Sequence, residues 1–197
     1  MSVQITDMQS AETDIEGLLV LTLKQVSDER GTVREFFRAS AHTGALGDAW
    51  PAGGWRQINV TESGQGAIRG LHGESTTKLV GCISGAAFGA YLDSRPDSPT
   101  YGKVVTVDLS PGTQVLVPAG VCNGFQSVSA GGSQYLYCFT EEWQPGMAGT
   151  AFSPLDEGLG FRWPLPVDDN DRGQISAKDL AAAKFSEQKF SEQIVSK

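Results

Sequence analysis

Short β-rich runs, each ended by a turn or loop, recur along most of this 197-residue chain. The run at 103–109 alternates apolar with polar residues, and the run at 113–117 begins after a Pro-Gly turn and ends at a proline. Roughly nine or ten such runs follow one another at intervals of about 8–12 residues, a pattern typical of a β-sandwich or barrel. No long amphipathic helix precedes residue 176. The sequence therefore predicts an all-β fold, a jelly roll with an open mouth for a ligand.

The two ends of the chain differ from its β-rich centre. Residues 1–17 are predicted to form an N-terminal arm, residues 18–165 the jelly-roll domain, and residues 166–197 a C-terminal loop and helical extension. A helix is predicted over 177–194, with Ser176 in a capping-box pattern at its start. The unit Lys-Phe-Ser-Glu-Gln occurs at 184–188 and again at 189–193. Its phenylalanines lie five residues apart and do not fit one helical face, so we interpret this end as a partly ordered tail.

Composition limits the classes of partner. The net charge of −8 argues against nucleic acid or an anionic membrane as a partner, although a few arginines are enough to bind a small anion. The sequence contains neither a signal-peptide pattern nor an apolar run approaching the roughly 18 residues of a membrane helix. Its three cysteines lack metal-type spacing and suit reduced thiols. We therefore expect a cytoplasmic globular protein.

The stretch from Ile68 to Val80 combines one imidazole, His72, with two cations, Arg69 and Lys78. We interpret it as a strand end, a turn and a second strand, so that His72 and Lys78 would face each other across the opening of a hairpin. A base beside an ammonium suits removal of a proton next to a carbonyl, because the cation stabilises the enolate. The alternative is a solvated hairpin with an incidental histidine.

Two neighbouring segments bear on a binding site. Strand alternation over 55–62 places Trp55, Gln57, Asn59 and Thr61 on one side, which fits a lined pocket and an exposed face equally well. The mixed segment 39–54 can hold one short helix, which would contain His42.

A series of short motifs extends from about Gly17 to Asp179. They include Asp28-Glu-Arg-Gly31 with Glu35, Gln57-x-Asn59, Arg69-Gly-Leu-His72, Lys78-Leu-Val80, Pro118-x-Gly120 with Gly124-Phe125, Tyr135-Leu-Tyr137 and Ser176-x-Lys-Asp179. Each motif is weak alone, but their order and spacing resemble the dTDP-4-dehydrorhamnose 3,5-epimerase family of cupin-type sugar-nucleotide epimerases. The resemblance implies a cupin-type jelly roll, a homodimer, no cofactor and no metal. It also implies an epimerase of deoxysugar biosynthesis that inverts the carbon or carbons flanking the ketone of a dTDP-4-keto-6-deoxyhexose.

Four residues match the family's catalytic positions. His72 matches the base, Asp179 the carboxylate paired with it, and Lys78 the cation near the ketone. Tyr137 matches the acid on the opposite face of the sugar ring. An unperturbed imidazole titrates near pH ~6.5 and can accept a proton near neutrality, and a carboxylate partner stabilises the imidazolium. Taken alone, Tyr137 also fits a core position and Asp179 the first turn of a helix.

Five residues match the family's binding positions. Arg30 and Arg69 match diphosphate contacts, and guanidinium groups suit diphosphate geometry. Gln57 and Asn59 match nucleotide or phosphate contacts, and Glu35 matches a glutamate near the nucleotide end. Taken alone, Arg30 and Glu35 also fit ordinary surface charges.

The chain departs from the family at four positions. Asn123 stands where the family commonly has a histidine, and Trp143 where it has a tyrosine; both are retained as predicted substrate-binding residues. Cys138 replaces a frequent lysine, and Glu74 replaces the usual glutamine. The base, the cation and the acid are present, so we expect proton transfer. The number of inverted carbons and the identity of the deoxysugar stay open.

Three alternatives to a double epimerase follow from these departures. One is a single-centre 3- or 5-epimerase for another deoxysugar. A second is a non-catalytic protein that binds a sugar nucleotide. The third, a metal-dependent cupin oxygenase, needs several histidine and carboxylate ligands, whereas the chain has only His42 and His72 and no His-x-His motif.

Overall fold

Two antiparallel β-sheets form the body of the protein in a computed structural model, which describes residues 3–188. The larger sheet has six strands, in the order β2 (Gln9–Glu12), β3 (Leu19–Thr22), β11 (Thr113–Val117), β8 (Lys78–Ser84), β13 (Ser133–Phe139) and β6 (Gln57–Ser63). The other sheet has five strands, in the order β10 (Val104–Leu109), β9 (Ala87–Asp93), β12 (Val121–Ser127), β7 (Ile68–Glu74) and β14 (Gly149–Ala151).

A third sheet and short helical segments accompany the two large sheets. The third sheet has three antiparallel strands, in the order β1 (Gln4–Thr6), β4 (Gln25–Asp28) and β5 (Gly31–Arg34). The helices are α1 (Ala39–Leu46) and α2 (Ala177–Leu180), residues 185–188 are also helical, and single 3-10 turns occur at Gly47–Ala49 and Glu157–Leu159. The short helix expected around His42 is α1.

The main hydrophobic core lies between the two large sheets. Val80 and Val115 from the six-stranded sheet and Tyr91 from the five-stranded sheet are all fully buried in one cluster. Phe125 of β12 stacks on Tyr135 of β13, with ring centroids 4.0 Å apart and ring planes 5° from parallel. Because these rings come from different sheets, the two layers face each other, and the predicted all-β sandwich is confirmed.

The predicted hairpin between β7 and β8 is wrong. The connection through residues 75–77 is as short as a hairpin loop, but β7 and β8 belong to different sheets. β7 pairs with β12 and β14, whereas β8 pairs with β11 and β13. The chain therefore crosses from one sheet to the other at this point. Both strands carry buried apolar residues, which pack in the core between the two sheets.

The strands also differ in number and length from the prediction. The described residues contain fourteen strands rather than nine or ten. β1 and β2 lie in the polar arm, where exposed residues give no alternating pattern, and the β-rich stretch that begins at Leu18 forms two strands, β3 and β4, rather than one. Alternation of apolar and polar residues arises where one face of a strand is buried. Short strands that face solvent on both sides therefore show no such alternation in the sequence.

The C-terminal helix is shorter than predicted. α2 has four residues, the chain then forms a parallel bridge between Ala183 and Phe152, and residues 185–188 are helical again. Phe185, from the first Lys-Phe-Ser-Glu-Gln unit, packs edge-on against Phe152 and Tyr101 at centroid distances of 5.2 and 5.4 Å. This first unit is therefore anchored rather than part of a loose tail; the second unit, at 189–193, lies outside the described residues.

Among residues 3–188, none of the helices combines the length and the apolar character needed to cross a membrane.

Phe185→Ala is expected to lower the free energy of unfolding by about 3 kcal/mol, because the side chain is only 3% exposed and fills an aromatic cluster. Phe37→Ala is the matched control; at 49% exposure it is expected to cost less than about 1.5 kcal/mol. Urea unfolding of both variants measures the difference. Equal losses would show that Phe185 does not anchor the C-terminal segment.

Candidate active site

A cavity of about 210 Å³ opens between the two large sheets. It is lined by Asn59, Thr61, Arg69, Gly70, His72, Glu74, Lys78, Asn123, Phe125, Tyr137 and Phe139. Larger depressions of about 620 and 1030 Å³ lie along residues 140–147 and 154–167, but the residues that line them include neither the histidine nor the lysine. We therefore take the smaller cavity, where both cations and the imidazole meet, as the candidate site.

A β-bulge brings Arg69 and His72 to the same cavity. In the pairing of β7 with β12, Asn123 is opposite His72 but Phe125 is opposite Arg69, so β7 has one extra residue. Residues three apart normally point to opposite faces of a strand, and the extra residue restores them to one face. At Gly70, in the bulge, an added Cβ would lie 2.5 Å from Gly124, so only glycine fits this close approach.

His72 is hydrogen-bonded to Asp179, a residue 107 positions later in the chain. Its Nε2 lies 2.7 Å from Asp179 Oδ1, and the carboxyl is buried while the imidazole is partly exposed to the cavity. Because Nε2 is held by the carboxylate, Nδ1 is the nitrogen left to accept a proton. The structure thus brings together the two residues predicted to act as base and partner.

The cap of α2 sets the position of Asp179. Ser176 is the N-cap residue, and its hydroxyl accepts a bond from the Asp179 backbone N–H at 3.0 Å. In a capping box the acidic side chain would bond back to the cap, but here it bonds to His72 instead. Burial raises the pKa of Asp179, yet bonds from His72, Ser176 and the Gly70 backbone outweigh it, and the pKa lies below its ordinary value. The carboxyl is therefore ionised at neutral pH.

Lys78 begins β8 and points into the space between the sheets, where it is 1% exposed. Its ammonium donates to Glu74 Oε2, to Asn123 Oδ1 and to the His72 carbonyl, the last at 3.2 Å. Burial lowers the pKa of Lys78, and the Glu74 carboxylate opposes that effect. Since an ammonium has three N–H donors, a substrate oxygen can bind Lys78 only by replacing one of these acceptors.

Tyr137 lies on β13, in the sheet opposite the one that holds His72. Its ring stacks near Phe139 at 6.1 Å and meets Tyr135 edge-on at 5.0 Å. Burial raises the pKa of Tyr137 to about 12, although a bond with Thr61 and the charge of Arg69 act in the other direction. The phenol therefore keeps its proton through the neutral range and is available as a hydrogen-bond donor.

The β6 residues reach the mouth of the cavity. Asn59 lines it, while Gln57 lies further along the strand and donates to Asn59 Oδ1 at 3.1 Å. The Trp143 backbone N–H donates to Gln57 Oε1 at 2.7 Å, and the indole is 58% exposed. Asn59 and Thr61 line the cavity, which supports a lined pocket rather than a solvent-exposed face for this side of β6.

Arg30 and Glu35 do not reach the cavity of their own chain. The Arg30 guanidinium is exposed and forms an ion pair with Asp28 at 2.6 Å, and Glu35 forms an ion pair with Arg38. Arg69, by contrast, lines the cavity and donates to the Ser63 hydroxyl at 3.1 Å.

Sequence reasoning gave no site role to four lining residues: Gly70, Glu74, Phe125 and Phe139. Period-two alternation places Glu74 on the same face as His72, so its position was available from the sequence. Phe125 and Phe139 gave no such signal, because an aromatic residue in a strand is ordinarily a core residue. Among residues 3–188, no group of three or more His, Cys, Asp or Glu is arranged to hold a metal ion.

The site combines a carboxylate-bound imidazole, a buried ammonium and a protonated phenol around one cavity. A base and an acid on opposite walls, with a cation between them, can move protons on the carbons beside a ketone. Fold and site together suit an enzyme that moves protons on a carbon beside a carbonyl group.

Comparison with known proteins identifies the family. The profile of the dTDP-4-dehydrorhamnose 3,5-epimerase family matches residues 12–187. A Salmonella typhimurium dTDP-4-dehydrorhamnose 3,5-epimerase is 33% identical over 177 residues, which is 87% of this chain and 92% of that protein. A Streptomyces bikiniensis dTDP-4-dehydro-6-deoxyglucose 3-epimerase is 31% identical over 166 residues, 80% of this chain and 82% of that protein.

A solved structure agrees with the sequence comparisons. The crystal structure of the Legionella pneumophila dTDP-6-deoxy-D-glucose-3,5-epimerase, in complex with dTDP-4-keto-L-rhamnose, superposes with a TM-score of 0.79 at 32% identity. The match covers 90% of this chain and 93% of that one. The chain belongs to the dTDP-4-dehydrorhamnose 3,5-epimerase family. The predicted family, fold class and enzyme class are confirmed.

Asp179→Asn is expected to destabilise the protein by about 1–2 kcal/mol at about pH 5, because the charged acceptor of the His72 bond is lost. The pKa of Asp179 is depressed in the folded state, so its contribution is present above the unfolded value near ~3.9 and is lost as the pH falls below it. Urea unfolding at about pH 5 and about pH 3 tests this. A difference between variant and wild type that does not shrink on acidification would contradict it.

Proposed function

We propose that this chain inverts one or both carbons flanking the ketone of a dTDP-4-keto-6-deoxyhexose, without a cofactor, in deoxysugar biosynthesis. One observation supports the proposal above all: His72, bonded to the Asp179 carboxylate at 2.7 Å, lines the same cavity as Lys78 and Tyr137. The C-terminal segment completes the site in this proposal, because it supplies Asp179.

Proton removal falls to His72. A carbon beside the ketone is acidic because its anion is an enolate, and His72 Nδ1 takes that proton. The Asp179 carboxylate stabilises the imidazolium that forms and holds the ring in one orientation. The Lys78 ammonium stabilises the charge that develops on the ketone oxygen.

Inversion follows from the two-sheet architecture. His72 lies on the five-stranded sheet and Tyr137 on the six-stranded sheet, so a sugar ring held between them presents one face to each. If the proton leaves toward His72 and another arrives from Tyr137, the carbon is inverted. The raised pKa of Tyr137, about 12, keeps its proton in place until the carbanion forms.

The nucleotide end of the substrate is assigned to the mouth of the cavity. In this proposal Arg69 pairs with the diphosphate, Asn59 and Gln57 bind phosphate or nucleoside, and the exposed Trp143 indole packs against the base. Asn123, bonded to Lys78, contacts the sugar near the ketone.

Single-centre epimerisation is the second candidate. The Salmonella relative is a 3,5-epimerase and the Streptomyces relative a 3-epimerase, at 33% and 31% identity, so the similarity alone does not favour either outcome.

A homodimer is also proposed. Pairing between two unpaired strand edges would account for Arg30 and Glu35, which do not reach the cavity of their own chain. β6 is the open edge beside the cavity and β5 is the open edge of the small sheet. Exposed apolar residues lie on both: Val33, Ile58 and Val60. Edge strands attract further strands, so pairing of the β4–β5 hairpin with β6 of a second copy would bring Arg30 near that copy's cavity.

The cytoplasm is proposed as the compartment, because all three cysteines are free thiols.

Wild-type protein is expected to catalyse deuterium uptake from D₂O into a dTDP-4-keto-6-deoxyhexose, at one flanking carbon for a single epimerase and at two for a double one. His72→Ala should lower uptake by about 10³-fold or more and keep nucleotide binding, because the base is lost but the binding groups remain. Tyr137→Phe should still exchange but invert poorly, because proton removal does not need the phenol. NMR of the product measures both.

The absence of uptake by wild-type protein with intact nucleotide binding would contradict the epimerase proposal and favour a binding protein. Equal loss of uptake and binding in His72→Ala would assign that residue a structural role.

A complementation test addresses the dimer. Arg30→Ala and His72→Ala are each expected to be impaired, but mixed subunits should recover activity, because half of the sites in a mixed dimer then have both native residues. Val33→Asp, at 74% exposure on β5, should sediment as a monomer, whereas the control Thr106→Asp, an exposed residue of the edge strand β10, should not. No recovery on mixing, with a monomeric wild type in sedimentation, would overturn the dimer.

A further inference from the structure

The Lys78 ammonium is enclosed by acceptors of three kinds. Glu74 supplies a carboxylate oxygen, Asn123 an amide oxygen and His72 a backbone carbonyl oxygen at 3.2 Å. Only Glu74 brings a negative charge. Its side chain comes from β7, four residues before Lys78 in the chain, and reaches it across the space between the sheets.

A lysine so deeply buried needs a counter-charge to stay protonated. Removal from water disfavours the ammonium, since the neutral amine loses far less hydration. The ionisable groups that face it come from several elements: Arg69, His72 and Glu74 of β7, Cys122 of β12 and Tyr137 of β13. Arg69 repels the ammonium charge and Asp179 is occupied by His72, so Glu74 is the carboxylate in contact with Lys78 within residues 3–188.

Glu74 has two opposing effects on the chemistry. Its negative charge lies near the oxygen where the enolate charge develops, which disfavours the enolate. It also keeps Lys78 in the ammonium form, and a neutral amine gives an oxyanion no charge stabilisation. The two effects predict opposite results when the carboxylate becomes an amide, so a single substitution decides between them.

We propose that Glu74 is a positioning residue, which keeps the Lys78 ammonium charged and aimed into the cavity, and that the site thereby retains activity into the alkaline range. The inference rests on the proposed function of Lys78 in enolate stabilisation.

Glu74→Gln is the test variant, because it keeps the shape and removes the charge. The pKa of Lys78 should fall by about one to three pH units when its counter-charge is lost. The ammonium is the active form, so activity disappears as the pH rises through this pKa, and in the variant that loss occurs at lower pH. The kcat ratio of variant to wild type should therefore fall as the pH rises from about 6.5 to about 9, by up to about tenfold for a fall of one pH unit in the pKa and by more for a larger one.

Two further variants separate charge from structure. Glu12→Gln, on the exposed strand β2, is the matched control and should leave the profile unchanged. Glu74→Asp keeps the charge and should retain the alkaline limb even if kcat is lower at every pH. Thermal unfolding of each variant establishes that it is folded.

An activity-independent measurement keeps the inference distinct from the proposed function. The ¹³Cε resonance of Lys78, assigned by its loss in Lys78→Met, should titrate at lower pH in Glu74→Gln than in wild type. If the wild type takes up no deuterium, the proposed function fails, while this titration still tests the pairing of Glu74 with Lys78. A kcat ratio constant over the pH range, or higher activity in Glu74→Gln at every pH, would overturn the inference, as would an unchanged Lys78 titration.

Discussion

The hydrogen bond between His72 and Asp179 is the contact on which the arrangement of the site depends, because it joins the central sheet to the C-terminal segment. Three separate features hold Asp179 in place: the Ser176 cap, the bridge at Ala183 and the packing of Phe185. Without them the carboxylate would lie on a free chain end. The C-terminal segment thus orients His72 and adds to the stability of the fold.

The sandwich supplies the remaining geometry. A sheet has one face toward the core, and two facing sheets enclose a gap in which side chains from both can meet a single ligand. β7 contributes His72 from one side and β13 contributes Tyr137 from the other. The bulge on β7 adds Arg69 to the same wall. In the proposed mechanism, a base and an acid on one sheet would return the proton to the face of the sugar from which it left, so the carbon would keep its configuration.

Local patterns in the sequence predicted much of this architecture, and non-local pairing decided the rest. Alternation over Val104–Leu109 and turns such as Pro111-Gly112 identify strands directly. The path from His72 to Lys78 was assigned to a hairpin, because a three-residue connection does not reveal whether the next strand pairs with the last or crosses to another sheet. The motifs identified His72, Lys78 and Tyr137, which line one cavity, and Asp179, which is bonded to His72. Arg30 and Glu35 lie outside it, in ion pairs with Asp28 and Arg38, since a short motif does not reveal how far its residues lie from a distant cavity.

The central claim is that a sugar ring lies between a base on one sheet and an acid on the other. A crystal structure of the protein with a bound dTDP-linked deoxysugar tests it most directly. We expect the ring between His72 Nδ1 and the Tyr137 hydroxyl, with the oxygen at the ketone position in contact with the Lys78 ammonium. A ring with His72 and Tyr137 on the same face, or a sugar bound outside the cavity, would contradict the account.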